Sequence, residues 1–542
     1  MQRWNGWGHQ DIDVPLRPAA LAFLTAQLGA GIRPVDAELD AVCAAIPPSR
    51  LDNHMLMHLG ARVEPAQRLR HSCGQSLPDW LRLRHGKPGS VVDAVVEARN
   101  EDHLIAILAQ AKDRGLRVIP VGGATSVVGH LTPPADDRPT LAINLQSHSR
   151  LRALDHNNHL ALFDAGVSGP LLEAQLHSHG YTLGHFPQSF EFSTLGGWIA
   201  TRSSGQQSRR YGRIEQLFAG GRVLQATQAL ELPPFPASAA GPDLREWVLG
   251  SEGRLGIISQ AWVNVRSKPA YERFHAIFLP HWQQAVDAAR SLAQSDIPFS
   301  MLRLSNATET QTLLRQAGHE TRIGWLERYL RWRGCGQDKC LLLLGFTGEP
   351  APCRRAERDA GDLLRPFGAV AVGTRMGEVW KQNRFRSVYL RNTLWHHGYA
   401  VDTVETACTW QQTSNMMHAI ENAARKALAA DGEQVHAYTH LSHVYSSGSS
   451  VYSTFMYRLT ADYQHNLQRW QQLKTAVSNA IAEHGGTISH QHGVGHDHEP
   501  WLRKEKGTIG CDWLQTVIDR ADPDGIFDSG NLLSRQPGTS AS

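Results

Sequence analysis

The stretch that most constrains this chain is Pro120–His130, Pro-Val-Gly-Gly-Ala-Thr-Ser-Val-Val-Gly-His, set directly after the apolar run Leu116–Val121. The run reads as a buried strand. Paired glycines let a backbone turn sharply and approach a ligand closely. Successive free N–H groups in such a turn form a concave nest for an anion, and Thr125 and Ser126 add hydroxyl donors. A pyrophosphate is the natural guest. A glycine-rich strand-to-strand turn would use the same residues, so this loop alone leaves both readings open.

Two later stretches shift the balance. Gly184–Gly197, continuing through Trp198 to Gly205, is rich in small residues and hydroxyls. That composition makes a poor hydrophobic core and suits backbone held against a large polar ligand. Gly250–Ile258 is a turn with recurring glycines that runs into an apolar strand, where backbone amides can meet a ring or a phosphate.

The surrounding chain alternates helix and strand. Ser90–Ala98 reads as a strand. Asp102–Arg114 reads as a helix with Leu104, Ile107, Leu108 and Ala111 on one face, stopped by Gly115. Leu141–Leu145 and His159–Ala165 read as strands, and Gly169–His179 as a short helix. Phe274–Leu279 and Cys340–Phe346 read as strands. Trp282–Gln294, Arg354–Arg365, Gln411–Ala430 and Ala461–Glu483 read as helices. Domain limits are expected at 1–87 (helical and irregular), 88–268 (cofactor domain), 269–484 (a second α/β unit) and 485–542 (a C-terminal segment with its own motifs, its last eight or so residues frayed). Trp4–Gly8 reads as a tryptophan-anchored tail, and arginine-rich Val63–Gly86 as a solvated or interdomain face.

Composition excludes several classes. Across 542 residues, 41% are hydrophobic and 19% charged, and the formal net charge is +3. That is ordinary globular composition, with no field that favours nucleic acid. The 15 tryptophans are scattered, without a basic tract. The seven cysteines show no pairing pattern, and Cys335/Cys340 has no second pair nearby, which argues against zinc and for reduced thiols in a cytoplasmic setting. No signal peptide is expected from Met1–Gly8, no apolar run has the roughly 20 residues of a membrane helix, and Ser540-Ala541-Ser542 is no peroxisomal signal.

Pro-x-Gly-Gly-x-Thr-Ser, then Ser-Thr-Leu-Gly-Gly, then Gly-Ser-Glu-Gly-x-Leu-Gly resemble, in order and spacing, the FAD-binding PCMH-type domain of the vanillyl-alcohol oxidase superfamily. The resemblance implies an α+β fold: a two-subdomain FAD-binding domain, an α/β cap facing the isoalloxazine ring, and a C-terminal segment. It assigns FAD contacts to Pro120, Val121, Gly122, Gly123, Ala124, Thr125 and Ser126. In the second stretch it assigns them to Gln188, Ser189, Phe190, Glu191, Phe192, Ser193, Thr194, Gly197, Thr201, Arg202, Ser203 and Ser204. In the third it assigns them to Glu252, Gly253, Leu255, Gly256, Ile257 and Ile258.

A closer resemblance is to the alkyldihydroxyacetonephosphate synthase family. It is carried by Trp4-Asn5-Gly6-Trp7-Gly8, Gly184-His185-x-Pro187-x-Ser189-x-Glu191-Phe192-Ser193-Thr194, Tyr211-Gly212-x-Ile214-Glu215 and Gly241-Pro242-Asp243. Ser489-His490-Gln491-His492-Gly493-Val494-Gly495, Asp522-Pro523-x-x-Ile526-Phe527 and Asn531-Leu532-Leu533 complete it. Tyr452 then falls on the family's catalytic tyrosine, although by itself it could be one strand aromatic among Tyr445 and Tyr457. Tyr389-Leu390-Arg391-Asn392 places Arg391 on a substrate-binding arginine; a structural salt bridge is the alternative. On a strand, His490 and His492 would share one face, able to hold a phosphate, move a proton or bind a metal. The family uses these histidines without metal. His496 and His498 read as surface residues.

Two departures stand out: the family's middle histidine is Gln491 here, and a family arginine before Gly-Pro-Asp is matched to Ala237. The resemblance implies a transferase that exchanges the acyl group of acyl-dihydroxyacetone phosphate for a fatty alcohol through a flavin N5 adduct, as in ether-lipid synthesis. Tyr452, His490, His492 and Arg391 are its active-site candidates. It also implies non-covalent FAD, a lipid-like small-molecule substrate, a homodimer and room for peripheral membrane contact. The alternative is an FAD-dependent oxidase or dehydrogenase of a 2-hydroxy acid or small alcohol, with Arg391 clamping a carboxylate and a histidine taking the hydroxyl proton.

Overall fold

A strand, a helix and a strand lead into the first glycine loop, and the helix returns the chain in its original direction, so the strands pair in parallel. In the computed structural model, which describes residues 1–318 and 320–533, Ala94–Glu97 and Arg117–Val121 flank Thr140–Asn144 in a three-stranded parallel sheet. Asn100 caps the intervening helix Glu101–Asp113 by accepting from His103 N at 2.9 Å. That helix buries Leu104, Ile107, Leu108 and Ala111 on the sheet. A second sheet of five antiparallel strands follows, in the order Leu151–Asp155, Leu160–Asp164, Ile257–Asn264, Phe218–Leu224 and Ala229–Leu232.

The later half builds one seven-stranded sheet, with every pair antiparallel. Its order is Val370–Ala371, Tyr271–Leu279, Cys340–Gly348, Met301–Ser305, His436–Leu441, Gly448–Arg458 and Tyr399–Thr409. Side chains alternate faces along each strand. Leu302, Leu304, Leu342, Leu344, Val404, Phe455 and Tyr457 enter the largest core cluster, under the helices Trp282–Ala293, Pro350–Leu364 and Trp410–Ala427. Leu341 and Leu343 pack on the other side with Phe274, Met301 and Leu314. This two-sided burial is why Cys340–Phe346 reads as an unbroken apolar run.

Several expectations need correction. Of its two readings, Val63–Gly86 is wrong as a solvated face, whereas its contact with the later half of the chain agrees with the interdomain one. Its helix Leu77–Arg84 is buried, and Arg84 stacks at 5.0 Å on Trp80 and 4.9 Å on Trp395 while pairing with Asp36 at 2.8 Å. Aromatic faces and a carboxylate offset the cost of desolvating that guanidinium. The C-terminal segment carries a helix, Glu499–Ala521, interrupted at Gly507 where φ is 70°. Ser489–Gly495 is not a strand. Trp7 does anchor the N-terminus in the core, its backbone held by Asn392 at 3.1 and 2.9 Å. The frayed end expected of the last residues falls on 534–542, outside the described residues. Among the described residues no helix is long and apolar enough to cross a membrane.

Candidate functional site

The first two glycine stretches touch. A Cβ on Gly122 would stand 2.2 Å from Thr194 Oγ1, and one on Gly123 would stand 1.8 Å from Phe192 O. Glycine is therefore required there by loop meeting loop. A Cβ on Gly197 would meet only Thr194 Oγ1, at 3.3 Å, so that glycine faces open space. Ala124, Arg202 and Glu252, one in each stretch, have positive φ (52°, 57° and 54°), three of the five such non-glycine residues described. Strain of this kind persists where the surroundings over-determine the backbone.

Glu252 is the tie between the stretches. Its buried carboxylate accepts from Val494 N and Gly495 N, and His130 Nε2 lies 2.9 Å away. His130 Nδ1 is 2.6 Å from Ser126 Oγ. Burial opposes charge on both groups, but each outweighs it for the other: the Glu252 carboxyl is lowered and the His130 imidazole raised. The first stretch, the third stretch and the C-terminal segment are thus joined by an ion pair.

These stretches wall one cavity of about 590 Å³ that runs to the seven-stranded sheet. Of the residues assigned to FAD, Pro120, Gly122, Gly123, Thr125, Ser126, Gln188, Ser189, Ser193, Thr194, Gly197, Thr201, Ser203, Ser204, Glu252, Gly253, Gly256 and Ile258 line it. The others lie elsewhere. Val121, Phe190 and Ile257 are core residues, Ala124 packs beside Val121, and Phe192 meets Trp7 at 5.6 Å. Glu191 reaches Tyr389, Arg202 pairs with Glu246, and Leu255 joins the C-terminal core. Strand alternation explains Val121 and Ile257, which lie on the strands Arg117–Val121 and Ile257–Asn264. The cavity's hydroxyls, its glycine-lined walls and its volume fit a flavin dinucleotide.

One face of the seven-stranded sheet closes the far side. Glu405, Tyr452 and His440 are direct cross-strand partners, so they form one row on one face. Thr403 and Thr454 continue it, followed by Tyr438, Val401 and Met456. Of the three candidate tyrosines only Tyr452 lines the cavity; Tyr457 lies in the core and Tyr445 bonds His490 Nε2 at 2.6 Å. Tyr452 stacks on His440 at 4.7 Å and meets His492 edge-on at 6.0 Å. Burial pushes its phenol up to about 12, so it stays protonated.

His490 and His492 do not share a face. Gln491 and His492 line the cavity, whereas His490 turns behind it, its Nε2 facing Arg213 Nη1 at 2.7 Å and its Nδ1 facing Glu405 Oε1 at 3.2 Å. Without a strand there is no two-residue alternation to place them together. Glu405, His443 and His490 bring potential ligand atoms within 4.8 Å of one another. A metal-bound imidazole directs its other N–H at an acceptor. Here the Arg213 guanidinium donates to Nε2, which leaves the proton on Nδ1, facing Glu405. Glu405 thus pairs with His490 at 3.2 Å and stands 3.9 Å from His443, and the Arg213 donor at Nε2 fits such a charge pair better than a metal cage. Burial opposes charge on Glu405, yet His490 and its neighbours hold its carboxyl well below the usual range.

Arg391 lines the cavity, but Nη1 donates to Gln75 O and the guanidinium lies 4.2 Å over Trp80. That bond uses one of its donors, and its buried Nε has no hydrogen-bond partner among the described residues. The position matched to the missing arginine, Ala237, lies on an exposed loop away from the cavity. The surface assignment of His496 and His498 is also overturned: His498 is buried with Nδ1 3.0 Å from Gly493 O, and His496 Nε2 is 3.2 Å from Ser529 O.

Sequence reasoning missed Arg303, Glu309, His440, Glu405 and His443. Arg303 Nη2 pairs with Glu309 at 2.7 Å and lies 3.2 Å from His440 Nδ1, and all three line the cavity. Burial opposes charge on Glu309, but His440 and Arg303 bring its carboxyl to about 2. The available signal was a charge inside a strand-like run, Leu302-Arg303-Leu304 and Val404-Glu405-Thr406. An ionisable group in a buried strand needs a partner or a task.

Residues 92–229 match the family described as FAD binding domain, and 268–532 the family described as FAD linked oxidases, C-terminal domain. The chain is 29% identical over 473 residues to an alkyldihydroxyacetonephosphate synthase of Dictyostelium discoideum, covering 86% of this chain and 77% of that one. It is 27% identical over 574 residues to the synthase of Caenorhabditis elegans, covering 98% and 95%. A solved alkyldihydroxyacetonephosphate synthase structure superposes with a TM-score of 0.84 at 25% identity, covering 97% of this chain and 98% of that one.

Proposed function

The chain is an alkyldihydroxyacetonephosphate synthase-like FAD flavoprotein, and from that premise we propose that it exchanges the acyl group of acyl-dihydroxyacetone phosphate for a fatty alcohol, an ether-lipid-forming reaction. The observation that carries this is the graded sheet face. Arg303, His440 and Tyr452 stand at one end, while Val401 and Met456, with Leu390 and Leu394 from the helix Leu390–His396, stand at the other. A phosphate head with an alkyl tail matches that gradient, whereas a small hydroxy acid leaves the apolar end without a use.

Bound FAD supplies a nucleophilic ring nitrogen and an electron sink. Gly122, Gly123, Thr125 and Ser126 would hold its pyrophosphate, and Gly197, Ser203 and Ser204 would border its ring. Non-covalent FAD is part of the proposal, supported by a cavity that no described cysteine lines and by a His130 whose two nitrogens face partners. Arg303 spends only Nη2 on protein partners among the described residues, which leaves donors for a phosphate. Tyr452, protonated, donates to the substrate oxygen, and a neighbouring histidine takes the substrate proton.

The test is ether formation. Purified protein with FAD, acyl-dihydroxyacetone phosphate and a long-chain alcohol should release fatty acid and alkyl product. Tyr452→Phe should lower turnover about 100-fold or more, in the range for losing an acid–base group. Keto-acid formation from 2-hydroxy acids, with no ether product, would overturn the proposal.

A further inference from the structure

The proton step needs an acceptor, and position 491 cannot supply one. Gln491 is an amide, its Nε2 donating to Glu405 Oε2, and an amide cannot take up a proton at neutral pH. We propose that His443 is the proton acceptor of this site; the proposal rests on the reading of the reaction given above and deepens it.

The cavity offers four imidazoles: His130, His440, His443 and His492. His130 is held between Ser126 and Glu252. His440 gives Nδ1 to Glu309 at 3.0 Å, beside Arg303. His492 makes no ion pair among the described residues; its resolved contact is the edge-on ring of Tyr452. His443 is held at Nδ1 by hydroxyls rather than by a carboxylate or a ring. Its Nδ1 lies 3.2 Å from Ser204 Oγ and 3.1 Å from Ser208 Oγ, which fixes the ring from the FAD-binding half. Its Nε2 carries no direct hydrogen bond among the described residues and stands 3.9 Å from Glu405 Oε1. Its backbone N–H is pinned by Ser450 Oγ at 3.1 Å. Burial pushes the imidazole down to about 3, so it rests neutral, and the Glu405 carboxylate opposes that shift. Hydroxyls orient Nδ1, and the buried Glu405 carboxylate stands beside Nε2, placed to receive the N–H of a protonated ring.

The step balances without an outside oxidant. The substrate C–H bond next to the carbonyl breaks, and its electron pair moves into the carbonyl to give an enolate oxygen, to which Tyr452 O–H donates. The proton forms a new N–H bond at His443 Nε2. Glu405 stabilises the imidazolium, and the proton returns to the same carbon when the alkyl group has been installed. Gln491 and His443 bear on opposite oxygens of Glu405, so an imidazole at either position can use the same carboxylate.

The test is His443→Gln, with exchange of the substrate's hydrogen in deuterated water and turnover as readouts. Expected is a loss of 100-fold or more in both kcat and exchange, with the flavin absorption spectrum and KM within threefold of the parent. His443→Gln combined with Gln491→His should recover at least tenfold of the lost rate, a rescue that a merely structural role would not produce. Glu405→Gln provides a second route should His443→Gln be unstable, with kcat again falling and KM retained. If the parent enzyme is active and either single variant stays within threefold of it, the proposal is overturned alone. A parent that neither exchanges nor turns over the acyl substrate overturns the reaction and the proposal together.

Discussion

Replacing Gly123 by alanine isolates the role of loop contact in holding the flavin. The residue is not in the left-handed region, so alanine brings no backbone penalty there. The added Cβ would stand 1.8 Å from Phe192 O, 2.5 Å from Phe192 C and 3.1 Å from Ser193 N. A carbon tolerates a carbonyl oxygen at about 3.3 Å, so the first and second stretches must part by about 1.5 Å. Overpacking costs about 1–3 kcal/mol, and backbone on both sides puts this case near the top of that range. The apoprotein can relax by opening the loops, whereas FAD needs them closed, so the strain is paid on binding. About 3 kcal/mol is roughly a 150-fold rise in the FAD dissociation constant. Titrating apoprotein with FAD and following flavin fluorescence measures it. Gly197→Ala is the control, since its Cβ meets only Thr194 Oγ1 at 3.3 Å, and a loss of less than tenfold is expected. If Gly123→Ala binds FAD within threefold of the parent at an unchanged melting temperature, the argument that loop contact sets the site is refuted.

Three further outcomes follow from the structure. Gly361 is an exposed interior position of the helix Pro350–Leu364 with nothing within 4 Å of a built Cβ, so Gly361→Ala should stabilise by about 0.8–1 kcal/mol; denaturant unfolding that shows no gain would contradict this. Glu252→Gln breaks a buried ion pair and should cost about 3–5 kcal/mol, seen as FAD lost on gel filtration. The pH dependence has a definite sign. The lowered Glu252 carboxyl contributes stability above its unfolded value and loses it as pH falls through the folded one. The raised His130 contributes fully below about 6.5 and loses it as pH rises through its folded value. Flavin retention should therefore be better near pH 6 than at pH 9, and Glu252→Gln should abolish that difference; an identical profile in the variant would discard the pair as the cause.

The cofactor half was legible because its determinants are local. Paired glycines, hydroxyls and a preceding apolar strand sit within a dozen residues, and a turn's geometry depends on such neighbours. The helix Glu101–Asp113 and the strand Cys340–Gly348 were legible for the same reason, since their periodicity lies in consecutive residues. His490 and His492 misled because two-residue alternation holds only on a strand, and their segment is irregular. Arg84 misled because arginine usually signals solvent, and nothing near it in sequence announces Trp395.

The charged end of the cavity was a tertiary decision. Ser204 meets His443 across 239 residues, Arg213 meets His490 across 277, and His440 meets Glu309 across 131. Each group alone is an ordinary polar residue in an apolar run, and which of them ionise depends on burial and partners that only folding supplies. By itself the sequence determined that a flavin-sized ligand is cradled by three glycine-bearing stretches, because backbone conformation is governed by near neighbours. Only the tertiary structure decided which guanidinium, phenol and imidazole face that ligand, because side-chain direction and electrostatics are set by the sheet face on which distant strands align.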